Sequence, residues 1–287
     1  MKTIWSKSTV KILQVLNWVF FGVMIFVNYL ANALPLNGKT TGEVSDQYTN
    51  LFVPAPITFS IWGVIYLLLL VFCIKQSKSL FSSTVDDATG DTVSTVGAGF
   101  MITSILNALW ILSWHYGYIQ FSVVVMLLLL AQLVHINLKV KQIAPFLASG
   151  SRFTVKAAFG TYLGWICIAT IANITALLVN SGWNGWGNTE TFWACTMIFV
   201  GALITTWALF KTQNAYLGLS VIWAFCGILI ARINADVYYR FIAWSAVFGA
   251  LLLTAMVIIE FTRSLFRSNS SKRVVITSTH EQVIVQE

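Results

Sequence analysis

"SILNALWILSWHYGYIQFSVVVMLLLLAQL", residues 104–133, decides how many times this chain crosses a membrane. Two apolar runs flank the short stretch HYGYIQ at 115–120. A crossing takes about 20 residues, so the two runs count as separate spans only if the chain reverses tightly at Gly117. Within the first run, Asn107, Trp110 and Trp114 stand at i, i+3 and i+7 and project from one side of a helix. An amide at membrane depth costs free energy unless it is paired. That face therefore serves either as packing between helices or as the wall of a site.

Outward from this stretch the pattern repeats. The 287 residues are 57% hydrophobic and 9% charged, against about 25% charged in a soluble domain. Apolar runs recur from end to end, which predicts an all-α, polytopic membrane bundle. Eight spans are expected, at 12–34, 57–76, 97–115, 119–138, 157–179, 191–210, 214–232 and 240–262. The first is read as a membrane helix rather than a signal peptide, because its apolar run is too long. Charge supports the count. With the N-terminus inside, the inner segments hold 14 of the 17 basic residues, and the outer segments hold Lys39, Arg232 and Arg240. This bias predicts eight spans with both termini cytoplasmic. It also accounts for the net charge of +7, which is not read as nucleic-acid binding. The stretch 79–96 and the Ser-rich, basic tail after Arg263 are expected to be flexible. Trp183 and Trp186, in the turn-rich NSGWNGWGNTE connection, are expected to anchor at the interface.

Catalytic signatures are scarce: HExxH, GxSxG, a phosphate loop and an intramembrane carboxylate pair are all missing from the sequence. Cys73, Cys167, Cys195 and Cys226 lack metal-site spacing and read as small packing residues. His115 and His135 read as interfacial hydrogen-bonding groups, with His115 the one nearer the Trp110–Trp114 face. Arg232 is expected to pair with Asp236, and Glu260 with Arg263. Asn28 and Asn32, Asn107, and Asn173 with Thr170 place polar groups at depth in the first, third and fifth spans. Three aromatic stripes accompany them. Phe59, Trp62 and Tyr66 form one; Asn107, Trp110 and Trp114 the second; Tyr162, Trp165, Ala169 and Asn173 the third. Such stripes usually pack a core. Together they also have the composition of a small-molecule pocket, flat apolar surface with a few hydrogen-bonding groups. Gly63, Ala108, Ala169 and Ala172 beside them are expected to permit close helix approach.

At these stripes the sequence resembles the translocator protein family, the TspO or tryptophan-rich sensory proteins. The resemblance lies in Pro54, Pro56, Trp62 and Tyr66; in LNALW at 106–110; and in YLGWICIATIAN at 162–173. It covers about residues 10–182. The chain departs from the family pattern at Thr161, where the family has proline, and at Leu177, where it has tryptophan. It also carries three spans beyond the family's five. The resemblance implies a five-helix half at 1–182, three further spans at 183–263 and a cytoplasmic tail at 264–287. It implies a cavity in the five-helix half that binds a hydrophobic planar molecule, a tetrapyrrole such as haem or porphyrin, or a sterol. The residues so marked are Trp62, Tyr66, Asn107, Trp110, Tyr162, Trp165, Ala169, Thr170 and Asn173. No cofactor is required; haem or porphyrin would be the ligand. The partners expected are the lipid bilayer, that ligand and a homodimeric copy, and the location expected is the cell membrane or an organelle membrane. A rival reading is a secondary transporter that uses the three added spans as a gate, although the sequence has no clear inverted repeat.

Overall fold

The computed structural model describes residues 6–82 and 84–284, with side chains over these residues except those of 87 and 268–284. The described chain is all-helical. Eight helices are long and apolar enough to cross a membrane: α1 (Lys7–Asn32), α3 (Ile61–Gln76), α4 (Asp87–His115), α5 (Ile119–Ile143), α6 (Ser149–Asn180), α7 (Glu190–Thr212), α8 (Tyr216–Ile233) and α9 (Arg240–Ile284). The short α2 (Thr41–Asp46) lies in the first loop. The reversal at Gly117 is real: its φ is +75°, a conformation that suits glycine.

Helix α1 shows why the sequence folds in lipid. Its buried face carries Gln14, Asn17 and Asn28 alongside Phe21 and Met24, while Ile12, Val15, Val19, Val23 and Phe26 are exposed. Polar groups point inward and apolar ones outward, the reverse of a water-soluble helix. The inward amide N–H groups are paired, while the Gln14 and Asn17 side-chain oxygens are buried without a partner. Gln14 donates to the Gln76 carbonyl at 2.6 Å, and Asn17 donates to the Gln76 side chain at 2.7 Å, tying α1 to α3.

Helix α6 is the axis of the bundle, packed against α3, α5, α7 and α8. Small residues allow this. Gly160 faces the side chain of Asn214, and Gly164 faces the backbone carbonyl of Leu217 so closely that a Cβ there would lie 2.1 Å from that oxygen. Asn214 donates both to the Asn137 side chain and to the Lys156 carbonyl, each at 2.9 Å, joining α5, α6 and the start of α8. Of the last three spans, α8 and α7 therefore pack on the axis helix, and α9 packs on α7 and α8.

Several expectations are corrected. Helix α4 begins ten residues earlier than its expected span, at Asp87, so the second half of the 79–96 stretch is helix rather than flexible linker. Asp86 caps it by accepting from the Thr89 N–H at 2.9 Å. Val93, Val96 and Phe100 bury its first turns. Gly63 allows no close approach, since nothing lies within 4 Å of where its Cβ would stand. Arg232 stacks over the Tyr239 ring at 5.8 Å rather than pairing with Asp236. Glu260 pairs two turns onward with Arg267, at 3.3 Å, and Arg263 lies over Phe210. The tail expected to be flexible, 264–287, instead continues α9 as helix to Ile284; its side chains from 268 and residues 285–287 lie outside the described residues.

Candidate functional site

Four tryptophans meet where α3, α4 and α6 converge beneath the first loop. Trp62 is the hub. Its ring centroid lies 5.6 Å from Tyr66, 6.0 Å from Trp110, 5.9 Å from Tyr162 and 6.1 Å from Trp165. The first two contacts are near-parallel and the last two near-perpendicular, both favourable for rings with a quadrupole. Trp110 in turn stacks on Trp114 at 5.8 Å. Between these rings lies a cavity of about 50 Å³, whose walls include Phe59, Trp62, Trp110, Trp114, Trp165, Ala169, Ala172 and Asn173. The alanines lie on the α6 wall, where any larger side chain would fill the space.

The cavity has a roof. Thr41, Ser45, Asn50, Val53 and Pro54 of the first loop close its mouth. Helix α2 in that roof is set by a capping box: Thr40 accepts from the Glu43 N–H, and the Glu43 carboxylate accepts from the Thr40 N–H at 2.6 Å. That N–H and the Thr40 hydroxyl, which donates to the same carboxylate at 2.9 Å, hold the Glu43 carboxyl below the usual carboxylate range. The end of α4 latches the roof. The Trp114 indole donates to the Thr41 carbonyl at 3.2 Å, His115 Nε2 hydrogen-bonds the Thr41 hydroxyl at 3.1 Å, and Asn37 donates to the His115 carbonyl at 3.1 Å. The chain leading into α3 is held from the opposite side. The Ala55 N–H donates to the Gly227 carbonyl at 3.0 Å, and the Trp223 indole donates to the Thr58 carbonyl at 2.9 Å, both on α8.

The residues marked in the sequence divide into two sets. Trp62, Trp110, Trp165, Ala169 and Asn173 line the cavity. Tyr66, Asn107 and Tyr162 instead form a buried polar chain just below it. Tyr66 donates to Asn28 at 2.6 Å, Asn28 to Asn107 at 2.7 Å, and Asn107 to the Tyr162 hydroxyl at 3.0 Å. That chain joins four helices, so Asn107 is packing glue, and the expectation that it faces the cavity is corrected. Thr170 donates to the Ile166 carbonyl at 2.7 Å and borders a different cleft, toward α7. Asn173 accepts from the Trp110 indole at 2.9 Å and donates to Ser122 at 2.9 Å. Trp165 differs from the other indoles. It is 3% exposed, and its N–H is buried without a hydrogen-bond partner. Sequence reasoning missed the roof, which has no helical period; the TTGE capping box at 40–43 was the one signal available there.

The decisive comparison is a match over residues 14–259 to the family described as TSPO-like protein. The chain belongs to this family. The match extends past residue 182, where the motif resemblance ends, and runs into the last span. Neither curated proteins nor solved structures give a match. This TSPO-like chain is an integral, multi-pass membrane protein. In TSPO-like terms, the fold places five of its nine marked residues on one small aromatic cavity and three of the others on the polar chain beneath it.

Proposed function

We propose that this TSPO-like protein binds a flat, hydrophobic small molecule of the tetrapyrrole class in the aromatic cavity, as a receptor, sensor or carrier. The observation that carries this reading is the Trp165 indole, an unsatisfied buried donor on the wall of a cavity whose helical walls are mostly aromatic rings and alanines. A buried donor without a partner costs roughly 1–3 kcal/mol. A ligand that accepts from it recovers that cost while stacking on Trp110 or Trp62.

At about 50 Å³ the cavity is smaller than ligand pockets, which hold roughly 300–1,000 Å³. Binding therefore requires the Trp62 ring to swing and the 41–54 roof to lift. The roof is suited to this. It is a loop anchored by the buried side chains of Val44 and Phe52 and by a few hydrogen bonds at the end of α4, whereas the helices beneath it are interlocked along their length.

The test is titration of haem or protoporphyrin into the purified protein, followed by ligand absorbance. Ala169→Phe fills the cavity without removing a tryptophan and should weaken binding by at least about tenfold, or roughly 1.4 kcal/mol. Unchanged affinity in a folded Ala169→Phe variant would place the ligand elsewhere.

A further inference from the structure

A second cleft runs between α6 and α7, distinct from the aromatic cavity although Asn50 borders both. At the end of the bundle near the first loop it opens as a vestibule of about 330 Å³, lined by Asn50, Trp183, Asn184, Glu190, Trp193 and Met197 among others. Toward the opposite end it continues as a groove of about 370 Å³ with an apolar lining that includes Ile171, Ile174, Val200, Ile204 and Trp207. Thr175, Leu178 and Met197 border both, so the two are one continuous track. We propose that this track holds a single phospholipid with a quaternary-ammonium head, the head in the vestibule and one acyl chain in the groove.

Charge and ring geometry select the head. Glu190 is the one charged residue lining the vestibule, and among the described residues its carboxylate has no ion-pair partner. Beside it, Trp183 and Trp193 line the same vestibule and pack against each other with centroids 4.9 Å apart, and Trp186 joins them at 5.5 and 5.6 Å to make an indole cluster. Indole surface beside an unpaired carboxylate attracts a quaternary ammonium, which would lie against the outer side of the cluster next to Glu190. The Trp193 ring is fixed for this: its indole donates to the Gly185 carbonyl at 2.9 Å, and Gly185 adopts φ +65°. The Asn184 side chain caps the same turn by accepting from the Trp186 N–H at 3.0 Å.

Length selects the tail. From Met197 to Ala208, both on the groove, α7 rises about 16 Å. Half of a hydrocarbon core is roughly 15 Å. One acyl chain entering at the vestibule therefore fills the groove to about the bilayer midplane. A lipid inserted from the opposite leaflet would place its phosphate at Lys211, an exposed side chain, and would leave the carboxylate vestibule empty.

Native mass spectrometry of the full-length protein tests this with equimolar phosphatidylcholine and phosphatidylglycerol of matched chains. One phosphatidylcholine should be retained in preference to phosphatidylglycerol by at least about fivefold, the scale of an exposed cation–π contact with a nearby charge. Glu190→Gln and Trp193→Leu should each bring the ratio toward parity. Ile204→Trp, which fills the groove and leaves the head site intact, should reduce retention of both lipids. Equal retention by the wild-type protein overturns the proposal. So does a preference that survives both head-site variants, or a reversed preference for phosphatidylglycerol. Haem titration of the same variants should be unchanged, which separates this cleft from the aromatic cavity.

Discussion

The Trp110 indole on α4 donates its N–H to the Asn173 side chain on α6 across 2.9 Å. The same amide then donates to Ser122 on α5. One side chain thus fixes three helices and orients the ring that forms one wall of the cavity. Asn173→Ala removes both bonds. A hydrogen bond between membrane helices averages about 0.6 kcal/mol, so the loss should be about 1 kcal/mol. Reversible unfolding in mixed micelles measures it, and a variant as stable as the wild type would show that the pair contributes nothing.

For ligand binding Trp165 should matter more than Asn173. Asn173 is committed to protein partners, whereas the Trp165 N–H is free. Trp165→Ala should weaken porphyrin affinity by at least about tenfold more than Asn173→Ala. Circular dichroism and melting must first establish that both are folded, because a lost tryptophan leaves a void.

Gly164→Ala should be among the most damaging single substitutions in the chain. Its Cβ would stand 2.1 Å from the Leu217 carbonyl, and backbone cannot step aside as a flexible side chain does. Overpacking of this kind costs roughly 1–3 kcal/mol, read as a lower Tm in detergent. Gly63→Ala is the matched control, since its Cβ meets nothing within 4 Å. It should leave Tm unchanged or raise it.

Gly227→Ala tests the seam between α8 and the turn before α3. The added Cβ would lie 2.0 Å from the Thr58 hydroxyl oxygen. It should displace the 53–58 turn and change porphyrin affinity at a distance from the cavity. Adding Thr58→Gly removes the clash and should recover most of the wild-type affinity. Failure of that rescue would mean the damage lies in α8 itself.

The roof latch makes a kinetic prediction. Trp114→Phe removes the bond to the Thr41 carbonyl, and His115→Ala removes the bond to its hydroxyl. Amide exchange over residues 36–54 should rise in both variants while α6 stays protected. Porphyrin association should speed up. Equal exchange in wild type and variants would show that the loop is held by something other than this latch.

Most of the bundle was legible because its signals are periodic. Apolar runs and the basic bias located all eight spans, and the i, i+3, i+7 spacing put Trp62, Trp110 and Trp165 on converging faces. The first turns of α4 were obscured by Asp87, Gly90 and Asp91, residues that read as a linker, although Val93, Val96 and Phe100 carry the buried stripe. Asn107 and Asn173 could not be told apart by spacing. What separates them is which partners the neighbouring helices bring, and that is a property of three-dimensional packing. The roof residues have no period at all. Their positions are set by α4 and α8, contacts far away in sequence.

The seam between α8 and the first loop also has a consequence for how the protein is made. Trp223 lies 165 residues beyond Thr58, to whose carbonyl it donates. At about 5–20 residues per second, synthesis of that interval takes roughly 8–33 s. During that time the first five spans can already assemble, but the turn before α3 lacks its anchor. If those spans assemble before the seventh is made, the aromatic cavity would at that stage be less firmly covered than in the finished protein. A bulky ligand could be loaded during synthesis and trapped when the seventh span docks.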